Sequence, residues 1–211
     1  MTTESALRDD ICRIGASLFD RGLTHGSTGN ISARLADGGW LMTPTDSSLG
    51  TLDAGRLSRL DAAGRLVAGD PPTKEAFLHT TMYDVRPKTG AVVHLHSTCS
   101  VAVSCLADTD PHDCLPPITA YSIMRVGTLP LVPYYPPGDE ALAHAVGALA
   151  GKHHALLLAN HGPIVAGTNL SAASDIIEEL EATARLVLLL RGEKLRLLTA
   201  DQVADLKRRF G

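Results

Sequence analysis

The sequence predicts an α/β fold in which a largely antiparallel or mixed sheet carries packed helices. Three observations lead there. Segments with apolar residues at helical spacing are interspersed with short apolar runs of strand length. Their order does not follow strict β-α-β alternation, which argues against an all-parallel sheet. No internal repeat or low-complexity linker divides the 211 residues, so residues 1–211 read as one domain.

The elements follow in order. "ESALRDDICRIGASLFDRGL" places Leu7, Ile11, Ile14 and Leu18 on one helical face and stops at Gly22. "THGSTGNIS", residues 24–32, has turn chemistry and accessible backbone amides. "GGWLMTPT" is a strand running into a Thr-Pro-Thr turn, and "GRLSRLDAAGRLVAGDPP" alternates short apolar pieces with turns, as small antiparallel strands do. After Pro71 and Pro72, "TKEAFLHTTMYDV" predicts a helix with Thr73 at its N-cap, ending before Pro87. A buried strand opens "AVVHLHSTCS"; residues 99–106 are helical or irregular, and "TLPLVPYYPPG" is extended. "DEALAHAVGALAG" is a helix, and "HALLLAN" and "GPIVAG" are strands. "SAASDIIEELEATARLVLLLRG" is the longest helix, with Ile176, Ile177, Leu180, Leu186 and Leu190 on roughly one face, and a short helix begins near Ala200.

Composition narrows the function classes. Apolar residues make up 45% and charged residues 20%, with a net charge of −4, an ordinary globular balance. The one basic cluster, "LKRRF", reads as a helix end, so a nucleic-acid partner is not expected. The N-terminus lacks the basic-then-apolar order of a signal peptide, and "LVLLLRG" is too short to span a membrane. Cys12, Cys99, Cys105 and Cys114 show no C-x-x-C spacing and read as reduced thiols. The expectation is a soluble cytoplasmic protein.

The chemistry gathers at "AVVHLHSTCS". Side chains alternate along a strand, so His94 and His96 share a face. One reading is two core histidines satisfied by hydrogen bonds. The other is a divalent-ion site, because neutral imidazoles at i and i+2 can chelate one ion. That reading needs a third ligand, and "LLLANHGPIV" offers His161 where a second apolar strand ends. His25, His79, His112, His144, His153 and His154 are less well placed. Three histidines leave a coordination position open, as catalytic metal sites do.

Three separated motifs, "GSTGNIS", "PPTKEAFLHTTMYDVRPKTGAVVHLHS" and "ANHGPIVAG", resemble in this order the class II aldolase/adducin family over about residues 5–190. "TPTDSSLG", "PTKEAFLH", "HLHST" and "YSIMRVG" resemble most the sugar-acid branch of that family, the 3-oxo-tetronate 4-phosphate decarboxylases. The resemblance implies a three-layer α/β/α sandwich around a mainly antiparallel sheet. It also implies a homotetramer with the site near a subunit boundary. The implied metal is zinc, with manganese or cobalt as alternatives, held by His94, His96, His161 and Glu75.

The resemblance further makes Glu75 the acid/base, although a first-turn carboxylate favoured by the helix dipole is a competing reading. Tyr121 matches a family proton donor, with a structural tyrosine as the alternative. Ser27, Asn30, Thr45 and Thr73 match a phosphate-binding set of hydroxyls, amides and a helix N-terminus. Two positions depart from the aldolase pattern: Asp46 stands where relatives often carry glycine, and Lys74 stands where they carry serine. Lys74 and Arg125 are both candidates for a substrate carboxylate, and Arg125 reads equally well as half of a structural ion pair.

The implied activity is metal-dependent loss of CO₂ from a small phosphorylated 3-oxo sugar acid, giving dihydroxyacetone phosphate. The same machinery suits retro-aldol cleavage of a ketose phosphate. A Schiff base at Lys74 is a metal-free rival, and a non-catalytic adducin-like scaffold is a rival of another class. The C-terminal "DLKRRFG" lacks the tyrosine that some aldolase relatives supply from their tail.

Overall fold

The computed structural model describes residues 3–136 and 138–210. Strands β1 (Asn30–Arg34), β2 (Trp40–Met42), β3 (Ser58–Leu60), β4 (Leu66–Ala68), β5 (Ala91–His94), β6 (Leu131–Val132), β7 (Ala155–Leu158) and β8 (Gly162–Gly167) form one eight-stranded sheet. Their order is β4-β3-β2-β1-β5-β8-β7-β6, and every neighbouring pair is antiparallel except β6 with β7. Around it lie α1 (Glu4–Asp20), α2 (Ala76–Val85), α3 (Thr98–Ser104), α4 (Ala120–Arg125), α5 (Glu140–Ala150), α6 (Leu170–Leu189) and α7 (Ala200–Phe210).

The period of two along each strand divides the core into two layers. Ile31 and Ala33 of β1, Val93 of β5 and Val165 of β8 pack with Ile11, Ile14 and Leu18 of α1 and Ile177 and Leu180 of α6. Val92 of β5, Leu156 and Leu158 of β7 and Ile164 of β8 face the other way, against Leu78 and Met82 of α2 and Leu142 and Val146 of α5. The result is a three-layer α/β/α sandwich around a mainly antiparallel sheet, as the sequence led us to expect. Ile11, Leu18, Leu78 and Met82 are fully buried, so cutting any of them to alanine would cost about 2–5 kcal/mol.

Helix α1 starts where Thr3 accepts the Ala6 N–H at 3.2 Å. Helix α6 starts in the same way, with Asn169 accepting from Ala172 at 2.9 Å. Among the described residues no helix is long and apolar enough to cross a membrane, and the four cysteines are free thiols.

Three local expectations change. Asn30–Ser32, expected as part of the Gly/Ser loop, belong to strand β1: pairing with both β2 and β5 overrides the weak strand propensity of Asn and Ser. Helix α2 begins at Ala76, with Glu75 rather than Thr73 at the N-cap, because a bridge between Pro44 and Pro72 holds the preceding chain extended. Thr73 still serves the helix start, accepting the Glu75 N–H at 3.2 Å. Strand β5 ends at His94, so His96 lies just beyond it. Residues Ala120–Arg125 form a short helix, and within "TLPLVPYYPPG" only Leu131–Val132 pair as a strand, with Pro137 outside the described residues.

Candidate metal centre and cleft

His94 closes β5 opposite Asn30 of β1, and both side chains leave the sheet on the α2 side. The His94 ring is fully buried, and its Nδ1–H donates to the Pro163 carbonyl at 2.8 Å. That bond fixes the tautomer and leaves Nε2 with a free lone pair. His96 follows two residues on. Its backbone is steadied by α3, whose first amides, Cys99 and Ser100, donate at 2.8 and 2.9 Å to the Glu181 carboxylate of α6.

His161 arrives from the neighbouring β7–β8 hairpin, on the three-residue turn between its strands. Asn160 takes the left-handed conformation there, with φ 56°. Gly162 follows with φ 152°, and a Cβ on it would meet the Leu95 carbonyl oxygen at 2.3 Å. Only glycine lets this turn press against the residue between His94 and His96.

The three Nε2 atoms converge at 3.3 Å (His94 to His161), 3.2 Å (His96 to His94) and 3.0 Å (His161 to His96). Glu75 closes the group, with Oε1 3.1 Å from His161 Nε2 and Oε2 3.5 Å from His94 Nε2. Burial lowers the pKa of His94 to about 4 and also lowers that of His96, favouring the neutral rings that bind metals. For Glu75 burial works against ionisation, but the neighbouring His94, with hydrogen bonds from His161 and Asn30, holds the carboxyl below the usual carboxylate range. Three lone-pair nitrogens this close gain little from one another, whereas a cation among them satisfies all three. In a tetrahedral zinc site with bonds of ~2.0–2.1 Å the ligand atoms stand about 3.4 Å apart. The donor set and its spacing therefore fit a divalent ion held by His94, His96, His161 and Glu75.

The cluster lies in a cleft of about 850 Å³. Ser27, Thr45 and Thr73 line it together with Asn30, Lys74 and Glu75. The Thr45 amide is bonded to Pro71 and the Thr73 amide to Thr43, so these threonines have only their hydroxyls to offer a ligand. The side chain of Asn30 is committed elsewhere: its Nδ2–H₂ donates to Glu75 Oε2 at 2.7 Å, and its Oδ1 faces His79 Nε2 at 2.5 Å. At most its second amide hydrogen is left for a phosphate.

The two departures from the aldolase pattern face each other. Asp46 adopts φ 54°, a conformation glycine takes without strain and aspartate tolerates. Its carboxylate lies 3.6 Å from Lys74 Nζ, and both side chains are exposed. That exposure leaves Lys74 without the desolvation that activates an amine for Schiff-base chemistry.

Two expected site residues lie elsewhere in the chain. Arg125 donates to Asp175 at 2.8 Å, and Tyr121 is 59% exposed on α4; neither lines the cleft. The ion-pair reading of Arg125 is the one the geometry supports. The cleft also contains His25, Tyr134, Tyr135 and Asn160, which the sequence did not single out. Behind it lies a further miss, His79, fully buried and bonded to Asn30 and Ser32. Its spacing of four from Tyr83 on α2 and the alternation of Asn30, Ser32 and Arg34 on β1 were the available signals.

The family model for the class II aldolase and adducin N-terminal domain matches residues 9–188. The chain is 48% identical to a 3-oxo-tetronate 4-phosphate decarboxylase from Pectobacterium atrosepticum, over 98% of this chain and 94% of that one. It is 33% identical to an L-fuculose phosphate aldolase from Haemophilus influenzae, over 86% of this chain and 83% of that one. The crystal structure of YgbL from Klebsiella pneumoniae, described as an aldolase/epimerase/decarboxylase, superposes with a TM-score of 0.95 at 49% identity, covering 98% of this chain and 100% of that one. On the motifs, the fold and these likenesses, the chain belongs to the class II aldolase and adducin family.

Proposed function

We propose that this protein is a metal-dependent carbon–carbon lyase that decarboxylates 3-oxo-tetronate 4-phosphate to dihydroxyacetone phosphate and CO₂. The observation that carries the reading is the His94, His96, His161 and Glu75 cluster standing in a chain 48% identical, almost end to end, to a decarboxylase of that name. The more distant 33% identity to a fuculose phosphate aldolase makes retro-aldol cleavage the second reading. We assign the ion as zinc, on its preference for imidazole and carboxylate donors in four-coordinate sites, with manganese and cobalt as alternatives. Such an ion supplies Lewis-acid polarisation of the substrate's carbonyl oxygen.

The chain's own residues do the rest. Ser27, Thr45 and Thr73 offer hydroxyls to the substrate phosphate. Lys74, at the cleft rim, pairs with the substrate carboxylate and orients the bond between C1 and C2. When that bond breaks its electrons pass toward the C3 carbonyl, and C2 must then gain a proton. Glu75 is ionised in the resting site, so it takes a proton from solvent and passes it to C2, supplying the one proton the reaction consumes. Tyr121 is exposed outside the cleft of its own chain, so a role as proton donor requires that it reach the cleft of a neighbouring subunit. We carry over from the family resemblance a homotetramer with the site at a subunit boundary. We take residues 1–211 as one catalytic domain, since a single sheet draws strands from residue 30 to residue 167, and place the enzyme in the cytoplasm.

Metal analysis of the purified protein, paired with turnover assays, tests the reading. About one zinc per chain, and dihydroxyacetone phosphate formed from 3-oxo-tetronate 4-phosphate, are the expected results. Metal with turnover of L-fuculose 1-phosphate alone would replace the decarboxylase reading by the aldolase one. Protein that binds no divalent ion would sink both.

A further inference from the structure

A buried chain of hydrogen bonds runs from the last turn of α2 to the Glu75 carboxylate, and every donor in it points the same way. Its parts come from two elements. Asn30 and Ser32 lie on the α2 face of β1, while Ile31 and Ala33 fill the opposite core. His79 and Tyr83, four residues apart, share one face of α2 and reach down to that strand. Tyr83 OH lies 2.9 Å from Ser32 Oγ. Ser32 Oγ lies 2.7 Å from His79 Nδ1, His79 Nε2 lies 2.5 Å from Asn30 Oδ1, and Asn30 Nδ2 lies 2.7 Å from Glu75 Oε2.

The direction of each bond follows from its end. An ionised carboxylate only accepts, so Asn30 must turn its NH₂ toward Glu75 and its carbonyl toward His79. That carbonyl also only accepts, so the proton of His79 sits on Nε2. The neutral ring then presents Nδ1 as an acceptor, which Ser32 fills with its hydroxyl hydrogen, while Ser32 accepts from Tyr83. Ser32 and His79 are 0% exposed and Tyr83 is 2% exposed, so no water competes for these bonds and an unpartnered member is costly.

We propose that His79 is a positioning residue for Glu75, acting through Asn30, and that Ser32 and Tyr83 fix the ring tautomer this requires. The inference deepens the reading of Glu75 as part of the metal centre and rests on it. Asn30 thereby becomes chiefly an orienter of Glu75. The relay holds one carboxylate oxygen in place and leaves Oε1 directed at His161.

The test is titration of cobalt(II) into metal-free protein, followed by its visible absorption, on wild type and three variants, with kcat and KM measured beside it. His79→Leu removes the donor and should weaken cobalt binding about tenfold or more. It should also lower kcat while KM moves little. His79→Gln keeps an N–H for Asn30 and should recover most of the loss, which a merely space-filling role would not predict. Ser32→Ala leaves the ring but frees its tautomer, and should fall between. Wild-type cobalt affinity in His79→Leu, or no recovery in His79→Gln, overturns the proposal. Should His79→Leu fail to fold, Ser32→Ala decides, and wild-type affinity with wild-type kcat in that variant counts against the relay. The titration needs no substrate, so a wild type inactive on 3-oxo-tetronate 4-phosphate sinks the decarboxylase reading alone.

Discussion

Asp46 and Lys74, the two positions where this chain departs from the aldolase pattern, stand 3.6 Å apart on the rim of the cleft. The aspartate takes φ 54°, so glycine would satisfy the same backbone, and its carboxylate turns toward the lysine rather than toward the hydroxyls below. Both groups are exposed, so the pair contributes little to stability and its meaning is chemical. Lys74→Ser should lower kcat/KM for the decarboxylation about 10- to 100-fold, the scale of losing one charge-assisted contact to substrate. Its unfolding free energy should stay within about 0.5 kcal/mol of wild type. Unchanged kcat/KM would remove Lys74 from substrate recognition.

His94→Ala should lose the bound metal and nearly all turnover. The buried bond from His94 Nδ1–H to the Pro163 carbonyl would also be lost, at a cost of about 1 kcal/mol, because that carbonyl keeps the Leu95 N–H as a donor. Elemental analysis and urea denaturation read the two effects separately. A variant that keeps one metal per chain would remove His94 from the ligand set.

Gly162→Ala tests the turn that delivers His161. A Cβ there would stand 2.3 Å from the Leu95 carbonyl oxygen, and the backbone has φ 152°. We expect destabilisation of about 2 kcal/mol or more, with weakened metal binding, because the turn must move away from the residues flanking Leu95. A melting temperature equal to wild type would show that the turn tolerates the shift.

Metal-free protein should lose stability on acidification from about pH 7 toward pH 4. Burial takes His79 from the ordinary 6.5 down to about 3. Its folded pKa lies below the unfolded one, so its contribution is fully present above about 6.5 and declines as pH falls toward the folded value. Within that window the unfolded chain binds the extra proton, and each pH unit removes about 1.4 kcal/mol. Urea midpoints at pH 7, 6 and 5 should fall in that order. His94 and His96 are also held below the ordinary value and act in the same direction. His79→Gln should therefore make the series shallower by one group's share, and an unchanged slope would assign the acid sensitivity to those other groups.

Removing the metal with a chelator at pH 7.5 should lower the melting temperature of wild type, because only the folded chain assembles His94 and His96 with His161 from 65 residues away. The same treatment should leave His94→Ala unchanged. Calorimetry with and without the chelator reads both.

The sequence by itself determined the layers and the outline of the centre. Apolar spacing marked α1, α2, α5 and α6, and short apolar runs marked β5, β7 and β8, because those signals are local and periodic. The H-x-H pair was legible for the same reason, and His161 by its place at the end of an apolar strand. Only the tertiary structure decided how distant segments meet. Asn30 read as part of a phosphate loop, and it became a partner of Glu75 because β1 pairs with β5 and packs under α2. Arg125 and Tyr121 carried suitable chemistry, but α4 packs on α6 and α7, so Arg125 meets Asp175 instead. His79 looked like an ordinary helix histidine until the strand beneath it supplied Ser32 and Asn30. Periodicity in one segment fixes which face a side chain takes. What stands opposite that face depends on pairing between segments far apart in the chain, and no local pattern encodes it.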